Sequence, residues 1–268
     1  MKNYFLISAA LLFLTSCQET KKEESSTEDI STEEAVPSKY VGEEPNPPEA
    51  TEIYEPVPPK VTLNDKGVPS DAIVLFDGST LDEWIHVQDS SAVQWQIMDD
   101  ASLLVKDKSG DIRTKRDFGS MQLHIEWKSP TEIIGEGQSR ANSGIFIQQR
   151  YEVQVLDNND NDTYVNGQVG ALYKQSVPLV MASVPTGQWN AYDIIFHAPE
   201  FDGEALVTPA YVTVLHNGVL VQDHFEIEGF VKYIGWPEYQ AHGKAPIQLQ
   251  DHGDNSRVTY RNIWVREL

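Results

Sequence analysis

Apolar and polar residues alternate along several short stretches of this chain. In the segment 121–128 every second residue is apolar, from Met121 to Trp127, and the residues between them are polar. The segments 192–197 and 211–216 have the same period of two. Because successive side chains of a strand point to opposite faces, this period predicts strands with one buried face and one face toward solvent.

An Asn-Gly pair marks the clearest of the predicted turns. Asn217 and Gly218 stand between two strand-like runs, and a type I′ hairpin turn favours this pair because both of its central residues have positive φ. No long stretch has the 3.6-residue period of an amphipathic helix. Many short strands separated by Gly, Pro and Asn predict an all-β fold, an antiparallel β-sandwich or jelly roll.

The N-terminus has the pattern of a bacterial lipoprotein signal. Lys2 precedes an apolar run at 4–14 that is too short to span a bilayer as a mature helix. The run ends at Leu14-Thr15-Ser16-Cys17, which resembles the lipobox where the signal is cleaved and the cysteine is acylated. We therefore predict a signal peptide at 1–16 and a lipid anchor at Cys17. The protein would lie in the bacterial cell envelope, on the outer membrane, facing either the periplasm or the surface.

Residues 17–70 have the composition of a tether. Between residues 18 and 60 there are 12 acidic and 4 basic residues, with prolines, serines and threonines among them. Such a segment has too few apolar residues to form a core, and its prolines and like charges keep it extended. The remaining residues, 71–268, have the length of one all-β domain.

Charge and cysteine content exclude several classes of function. The formal charge of the chain is −21, and an acidic surface repels phosphate backbones, so we do not expect nucleic acid as a ligand. Cys17 is the only cysteine. The chain can therefore form neither an internal disulfide nor a zinc site built from several thiolates.

Polar residues share one face of several predicted strands. Glu152 and Gln154 alternate with the apolar residues Tyr151, Val153 and Val155. In the segment 247–253 two glutamines alternate with apolar residues before an Asp-His-Gly turn, and the segment 258–263 adds an arginine and an amide. If these strands are neighbours, their polar faces form one patch. Such groups beside aromatic rings suit a sugar, although an ordinary solvated sheet face explains the pattern equally well.

Short motifs in the order and spacing of a known family occur over most of the chain, from about residue 73 to residue 268. They include Leu75-Phe76-Asp77-Gly78, Ile112-Arg113-Thr114-Lys115, Asn142-Ser143-Gly144, Tyr151-Glu152-Val153-Gln154-Val155-Leu156-Asp157, Gly187-Gln188-Trp189-Asn190, Leu249-Gln250-Asp251-His252-Gly253 and Tyr260-Arg261-Asn262-Ile263. The set resembles the bacterial 3-keto-disaccharide hydrolase domain, also described as 3-keto-glucoside-1,2-lyase/hydratase. The resemblance implies a concanavalin A-like jelly roll that acts on glycosides or disaccharides whose C3 hydroxyl has been oxidised to a ketone.

A 3-keto sugar can lose its aglycone by elimination. The ketone acidifies the C2 proton, and loss of this proton expels the glycosidic oxygen from C1. Addition of water to the resulting enone completes a net hydrolysis. This route needs a base near C2, a donor or cation at the enolate oxygen and an acid at the leaving group. An ordinary glycosidase, a further alternative, instead places two carboxylates around C1, and the sequence shows no second carboxylate in obvious register with Glu152.

We assign candidate roles to the polar residues of these motifs. Glu152 or His252 is the candidate base, and His242 is a further acid–base candidate. Lys115 and Arg261 are candidates for stabilising the enolate. The residues expected to bind substrate are Asn142, Gln154, Asp157, Gln250, Asp251 and Arg261.

Two alternatives remain open from the sequence alone. The run from Asp157 to Asp162 is rich in oxygen ligands and could hold calcium or another divalent cation. It lacks the glycine and distal glutamate of an EF-hand loop, and a tight Asn/Asp-rich turn explains it more simply. No other cofactor is indicated. The domain could also be a non-catalytic, lectin-like carbohydrate-binding module, because a fold does not decide a function.

Overall fold

The computed structural model describes residues 47–268. These residues fall into two compact units that divide after Pro58. The first contains a 3₁₀ helix at Pro48–Thr51. The second begins at Pro59 and so includes residues 59–70, which the sequence pattern assigns to the tether. The predicted signal peptide, Cys17 and the beginning of the tether lie outside the described residues.

Strands supply nearly all of the regular structure in the second unit. Besides them, the unit contains only two 3₁₀ helices among its regular elements, at Gly137–Ser139 and Val165–Gly167. The strands are β1 (Ile73–Phe76), β2 (Trp84–His86), β3 (Gln96–Ile97), β4 (Leu103–Leu104), β5 (Ile112–Thr114), β6 (Met121–Lys128), β7 (Ser143–Ile147), β8 (Tyr151–Val155), β9 (Asn190–His197), β10 (Glu200–Asp202), β11 (Ala205–Thr208), β12 (Tyr211–His216), β13 (Val219–Glu226), β14 (Gln248–Leu249) and β15 (Thr259–Glu267). The predicted all-β fold is confirmed.

The strands form two main antiparallel sheets. The larger sheet has the order β13-β12-β9-β6-β15-β4-β3, with β1 also pairing with β15. The smaller sheet has the order β2-β5-β14-β7-β8, and β10 and β11 form a separate pair. Neighbours in each sheet are mostly distant in sequence, as expected of a jelly roll and not of a simple meander.

The two sheets pack face to face around one hydrophobic core. Across the interface, the Tyr192 hydroxyl donates to the backbone oxygen of Gln154 over 2.8 Å, and the rings of Tyr151 and Phe196 lie 5.6 Å apart between centroids. The buried apolar residues of both sheets belong to a single cluster. Burial of these inner faces is the main force that holds the sandwich together.

Local patterns in the sequence agree with the strands that form. In β6 the apolar residues are buried and the polar residues between them are half-buried, as the alternation predicts. Asn217 and Gly218 have φ of 53° and 78° and connect β12 to β13, which confirms the predicted hairpin. Within residues 47–268 the structure contains no helix with the length and apolar content that a membrane span requires.

Strand β8 is buried on both of its faces. Its inner face, with Tyr151, packs against the larger sheet. Its outer face carries Glu152 and Gln154, which lie beneath segments that connect other strands. A polar strand face that is covered instead of solvated is the first structural sign of a functional site.

Candidate functional site

A cleft of about 620 Å³ lies over the outer face of the smaller sheet. Strands β7, β8 and β14 form its floor, and loops between strands form its walls. Carboxyl, amide, imidazole and aromatic groups line it together, a mixture typical of pockets that orient a small polar ligand. The lining residues are Gln138, Ser139, Asn142, Phe146, Glu152, Gln154, Tyr164, Tyr173, Val231, Tyr233, Gln250 and His252.

Strand register brings the predicted polar faces of β8 and β14 together. Glu152 pairs with Phe146 of β7, and Phe146 pairs with Gln248 of β14. One step along, Gly144 pairs with Gln154 and accepts a backbone hydrogen bond from Gln250 at 3.0 Å. The prediction of one polar patch therefore holds for these two strands, with β7 between them.

Glu152 is the carboxylate in the floor of the cleft. Only 5% of the residue is exposed, and its side chain has no hydrogen-bond partner among residues 47–268. Burial, with a smaller contribution from the negative charge of Asp111, raises the pKa of Glu152 to about 8. A buried carboxyl group with a raised pKa and no ion-pair partner is suited to proton transfer near neutral pH.

Gly144 provides the space that the Glu152 side chain occupies. A Cβ atom at this position would lie 2.8 Å from Cε2 of Phe146 and closer still to Oε1 of Glu152. An added Cβ atom would force the carboxyl group of Glu152 or the ring of Phe146 to move. The glycine of the Asn142-Ser143-Gly144 motif therefore leaves the carboxyl group its position within the cleft.

An amide network forms one wall of the cleft. Nδ2 of Asn142 donates to the backbone oxygen of Gln138 at 2.7 Å, and Nε2 of Gln154 donates to the side-chain oxygen of Gln138 at 3.1 Å. The side-chain oxygens of Gln154 and Gln250 are buried and accept no hydrogen bond from any described residue. Buried acceptors without a donor are rare in folded proteins, so these two oxygens are well suited to accept hydrogen bonds from ligand hydroxyls.

Two tyrosines face the cleft beside Glu152. The hydroxyl oxygens of Tyr164 and Tyr173 lie 2.6 Å apart, and the backbone nitrogen of Tyr173 donates to the backbone oxygen of Glu152 at 2.9 Å. Burial raises the pKa of both phenols. Both hydroxyls thus keep their protons near neutral pH and can donate a hydrogen bond to an anionic oxygen.

His252 lies at the rim of the cleft, in the Asp-His-Gly turn after β14. Its Nδ1 atom is 2.8 Å from Oδ2 of Asp254, and this contact orients the ring. The other ring nitrogen has no hydrogen-bond partner among residues 47–268. A partly exposed imidazole held in this way can exchange a proton with a ligand that enters the cleft.

Residues 71–266 match the family model of the 3-keto-alpha-glucoside-1,2-lyase-like domain. The chain belongs to this family. None of the curated proteins matches it. Among solved structures, a candidate glycosyl hydrolase from Parabacteroides distasonis is 50% identical, with a TM-score of 0.80, and the match covers 87% of this chain and 100% of that one. A second candidate glycosyl hydrolase from the same organism is 21% identical, with a TM-score of 0.55 and coverage of 74% and 94%, and shows a shared fold.

Lys115 and Arg261, the two residues predicted to stabilise the enolate, lie outside the cleft of this domain. Lys115 follows β5, is exposed, and donates its backbone N–H to Glu83 at 2.8 Å. Arg261 lies on β15, in the larger sheet, where its Nε atom is 2.6 Å from Oε2 of Glu126 and its guanidinium lies 4.0 Å from the ring of Trp189. The structure thus places neither residue at the cleft, and no lysine or arginine lines the cleft in the described part of the chain.

Three further predicted residues also do not line the cleft. Asp157 is buried in an ion pair with Arg140 at 3.1 Å and accepts from the Thr186 hydroxyl, so its carboxylate holds loops together. Asp251 accepts backbone N–H groups from residues 110 and 253 and shapes the turn. His242 contacts the Tyr151 hydroxyl at 2.7 Å, and burial lowers its pKa.

The oxygen-rich run beginning at Asp157 forms a turn held by its own side chains. Asn161 donates to the backbone oxygen of Asp157 at 2.7 Å and accepts from the backbone nitrogen of Gly137. Within residues 47–268 no three His, Cys, Asp or Glu side chains are grouped so that they could hold a metal ion. The carboxylate of Asp157 is already neutralised by Arg140, which leaves this segment poorly suited to bind a cation.

Several lining residues carry no recognisable signal in the sequence. Gln138, Tyr164, Tyr173 and Tyr233 lie between strands, where no periodicity indicates which way a side chain points. The one available signal is composition, because tyrosines beside amides are common in sugar sites. Family membership and the candidate glycosyl hydrolase relatives support the assignment of this chain to the carbohydrate-active enzymes.

Proposed function

We propose that this protein cleaves the glycosidic bond of sugars that carry a ketone at C3, by elimination followed by hydration. The observation that carries the proposal is Glu152, a buried carboxyl group with a raised pKa that stands alone in a cleft lined by amides and tyrosines. Membership in the 3-keto-alpha-glucoside-1,2-lyase-like family supports this choice of substrate.

Glu152 is the base in this mechanism. Its carboxylate takes the C2 proton, which the adjacent ketone has acidified, and the electron pair moves into the ring to form an enolate at C3. A pKa of about 8 makes the carboxylate a stronger base than an ordinary glutamate, while a useful fraction is still ionised near neutral pH. The fixed position of the side chain against Gly144 keeps the base in place.

The hydroxyls of Tyr173 and Tyr164 stabilise the enolate oxygen. They take the role that the sequence pattern suggested for Lys115 and Arg261. The two hydroxyls are in contact with each other, so one can donate to the other while the second donates to the substrate. Neutral donors that are already in position stabilise a developing oxyanion effectively because they need no reorganisation during the reaction.

His252 completes the elimination. As the C1–O bond breaks, its free nitrogen donates a proton to the departing oxygen, and Asp254 holds the ring. Water then adds to C1 of the enone and gives its proton to the ring nitrogen of His252 that protonated the leaving group, while Glu152 returns its proton to C2. The sum is hydrolysis with no change of oxidation state. Asn142, Gln154 and Gln250 bind hydroxyls of the sugar, the latter two through their unpaired oxygens.

The test uses a chromogenic 3-keto-glucoside and its unoxidised parent glucoside. We expect the protein to release the aglycone from the 3-keto sugar alone, with transient ultraviolet absorbance from the enone. Release from the unoxidised parent would instead indicate an ordinary glycosidase. Saturable binding of the 3-keto sugar without product would identify a lectin-like module, and either result would refute the proposal.

We further propose that the protein is anchored to the outer membrane through an acylated Cys17. The support is the Leu14-Thr15-Ser16-Cys17 motif after a short apolar run. In cells, wild-type protein should incorporate labelled palmitate and sediment with membranes, whereas Cys17→Ser should do neither. Labelling and sedimentation of Cys17→Ser to the wild-type extent would contradict this anchor.

A further inference from the structure

One lysine beside the cleft has no counter-ion. Lys174 is half-buried, and it forms no ion pair with an acidic side chain in the part of the chain that the structure describes. It does not line the cleft, but it directly follows Tyr173, which does. A half-buried ammonium group loses part of its hydration, so other groups must replace the water.

Three tyrosine rings surround this ammonium group instead of a carboxylate. The Lys174 ammonium lies 4.5 Å from the centre of the Tyr233 ring and donates to the backbone oxygen of that residue at 2.9 Å. Its distances to the ring centres of Tyr164 and Tyr173 are 5.4 Å and 5.8 Å. A cation is attracted to an aromatic ring within about 6 Å of its centre, so one lysine attracts all three rings.

The backbone fixes the position of Lys174 relative to Tyr164. The backbone nitrogen of Lys174 donates to the backbone oxygen of Asn166 at 2.7 Å, and the φ of Lys174 is 61°, in the left-handed region that a lysine seldom adopts. Asn166 lies in the 3₁₀ helix directly after Tyr164, where a Cβ atom at Gly167 would collide with the Tyr164 ring. A residue keeps such a conformation only where its surroundings hold it, so the approach of the lysine to this ring is built into the fold.

Two of the three rings carry the hydroxyl pair that faces the cleft. The hydroxyl oxygens of Tyr164 and Tyr173 are 2.6 Å apart, and Tyr173 is bonded through its backbone to Glu152. A positive charge beside a phenol ring draws electron density from the hydroxyl group and makes it a stronger hydrogen-bond donor. The gain is larger toward an anionic acceptor than toward a neutral one, so such a donor stabilises an enolate more than the ketone from which it forms.

We infer that Lys174 is a positioning residue for the elimination: it holds the hydroxyl pair of Tyr164 and Tyr173 in place and strengthens its hydrogen bond to the enolate oxygen, without touching the substrate. This inference rests on the proposed function, because it takes the two hydroxyls to bind that oxygen. Lys174 should therefore affect the rate of the chemical step and have little effect on substrate binding.

Replacement of Lys174 by Met removes the charge and keeps an unbranched side chain. With a 3-keto-glucoside as substrate, Lys174→Met should lower kcat roughly tenfold, as expected from lost cation–π contacts, and leave KM within about twofold. Lys174→Arg keeps the charge and should stay within about threefold of wild type. Lys244→Met is the matched control, since Lys244 pairs with Glu267 on the surface at 2.8 Å and does not line the cleft; it should change kcat by less than about twofold. Lys174→Gln, which also removes the charge, serves in its place if Lys174→Met does not fold.

A double variant separates action through the hydroxyl pair from a general structural role. In a Tyr173→Phe background, Lys174→Met should lower kcat by less than about a further twofold, because the pair through which the charge acts is already lost. The inference would be overturned by a roughly tenfold loss in that background as well, by a change in KM alone, by no effect in wild type, or by an equal loss with Lys174→Arg.

Failure of the proposed function can be separated from failure of this inference. If the wild-type protein cleaves no 3-keto-glucoside, the proposed function is wrong, and NMR of protein isotope-labelled at the Cζ atom of tyrosine then decides whether Lys174 holds the hydroxyl pair. The informative signal is that of Tyr164, which is distant from residue 174 in sequence and can be assigned with Tyr164→Phe. Lys174→Met should shift this signal, Lys174→Arg should shift it less, and Lys244→Met should not shift it. An unchanged Tyr164 signal in Lys174→Met would refute the contact.

Discussion

Replacement of Glu152 by Gln tests the central electrostatic claim through protein stability, independently of any substrate. The substitution keeps the shape of the side chain but removes its ability to ionise. Because the pKa of Glu152 is raised to about 8 in the folded protein from its ordinary value of 4.5, the folded protein binds this proton more tightly than the unfolded chain does. Ionisation therefore destabilises the wild-type fold, and Glu152→Gln avoids that cost.

The expected difference grows with pH. Each unit of pKa shift corresponds to about 1.36 kcal/mol, and linkage between pKa values of 4.5 and about 8 gives Glu152→Gln an advantage of about 1 kcal/mol at pH 5 and up to about 5 kcal/mol at pH 9. The wild-type stability linked to this group is fully present below pH 4.5 and is lost as the pH rises through about 8. Above that pH the difference between the two proteins stays constant.

Urea unfolding at several pH values, followed by tryptophan fluorescence, measures this difference. Titrating groups that do not interact with Glu152 affect the two proteins equally and cancel when they are compared at each pH. Glu132→Gln is the matched control, since the Glu132 side chain is 71% exposed and forms only a surface ion pair; it should show no such trend. A free-energy difference for Glu152→Gln that is the same at pH 5 and pH 9 would show that Glu152 titrates normally and would refute the reasoning.

Further predictions concern turnover of a 3-keto-glucoside. Glu152→Gln should abolish it, and the wild-type kcat/KM for a substrate with a nitrophenolate leaving group, which needs no acid, should rise with pH to a plateau above about 8, as expected of a base with the pKa of Glu152; a profile that falls over this range for that substrate would contradict a basic role. Gly144→Ala should lower kcat at least tenfold and destabilise the fold by roughly 1 to 3 kcal/mol in urea unfolding, since the added methyl displaces the base. Tyr173→Phe should lower kcat roughly a hundredfold with little change in KM, whereas Lys115→Ala should stay within about twofold because Lys115 is exposed outside the cleft; the opposite ranking would restore the lysine as the enolate partner. His252→Ala should lose most activity toward poor leaving groups and retain more toward a nitrophenolate, which needs no acid.

The period of two along the strands predicted which polar residues share the face that forms the floor of the site. Glu152 and Gln154 share a face because they are two residues apart in one strand, and Gln250 joins them because β14 pairs with β7. Alternation determines the face of a strand, but it does not determine which strands pair. Arg261 shows this limit: its strand has the same kind of polar face, but β15 belongs to the larger sheet, so the arginine contacts Glu126 instead of the cleft.

Loops account for most of what the sequence did not predict. Tyr173 is held at the cleft by a backbone bond to Glu152, and nothing in its local sequence indicates that partner. Lys115 was chosen from a family motif and not from a strand pattern. It lies beyond the end of β5, where alternation gives no information about the direction of a side chain.

Asp111 bears on the choice between elimination and ordinary glycoside hydrolysis. It is a half-buried carboxylate, and its negative charge contributes to the raised pKa of Glu152. Yet its Oδ1 accepts the backbone N–H of Asp251 at 2.8 Å, its Oδ2 accepts Nε2 of Gln248 at 2.6 Å, and it does not line the cleft. A carboxylate whose two oxygens are engaged in this way cannot reach C1 as a nucleophile or activate water there.

Of the acidic side chains in the described residues, only Glu152 lines the cleft, and ordinary glycosidases require two carboxylates at the sugar. A single carboxylate is sufficient when a ketone at C3 has already acidified the C2 proton, and for this reason the arrangement of Asp111 and Glu152 favours elimination.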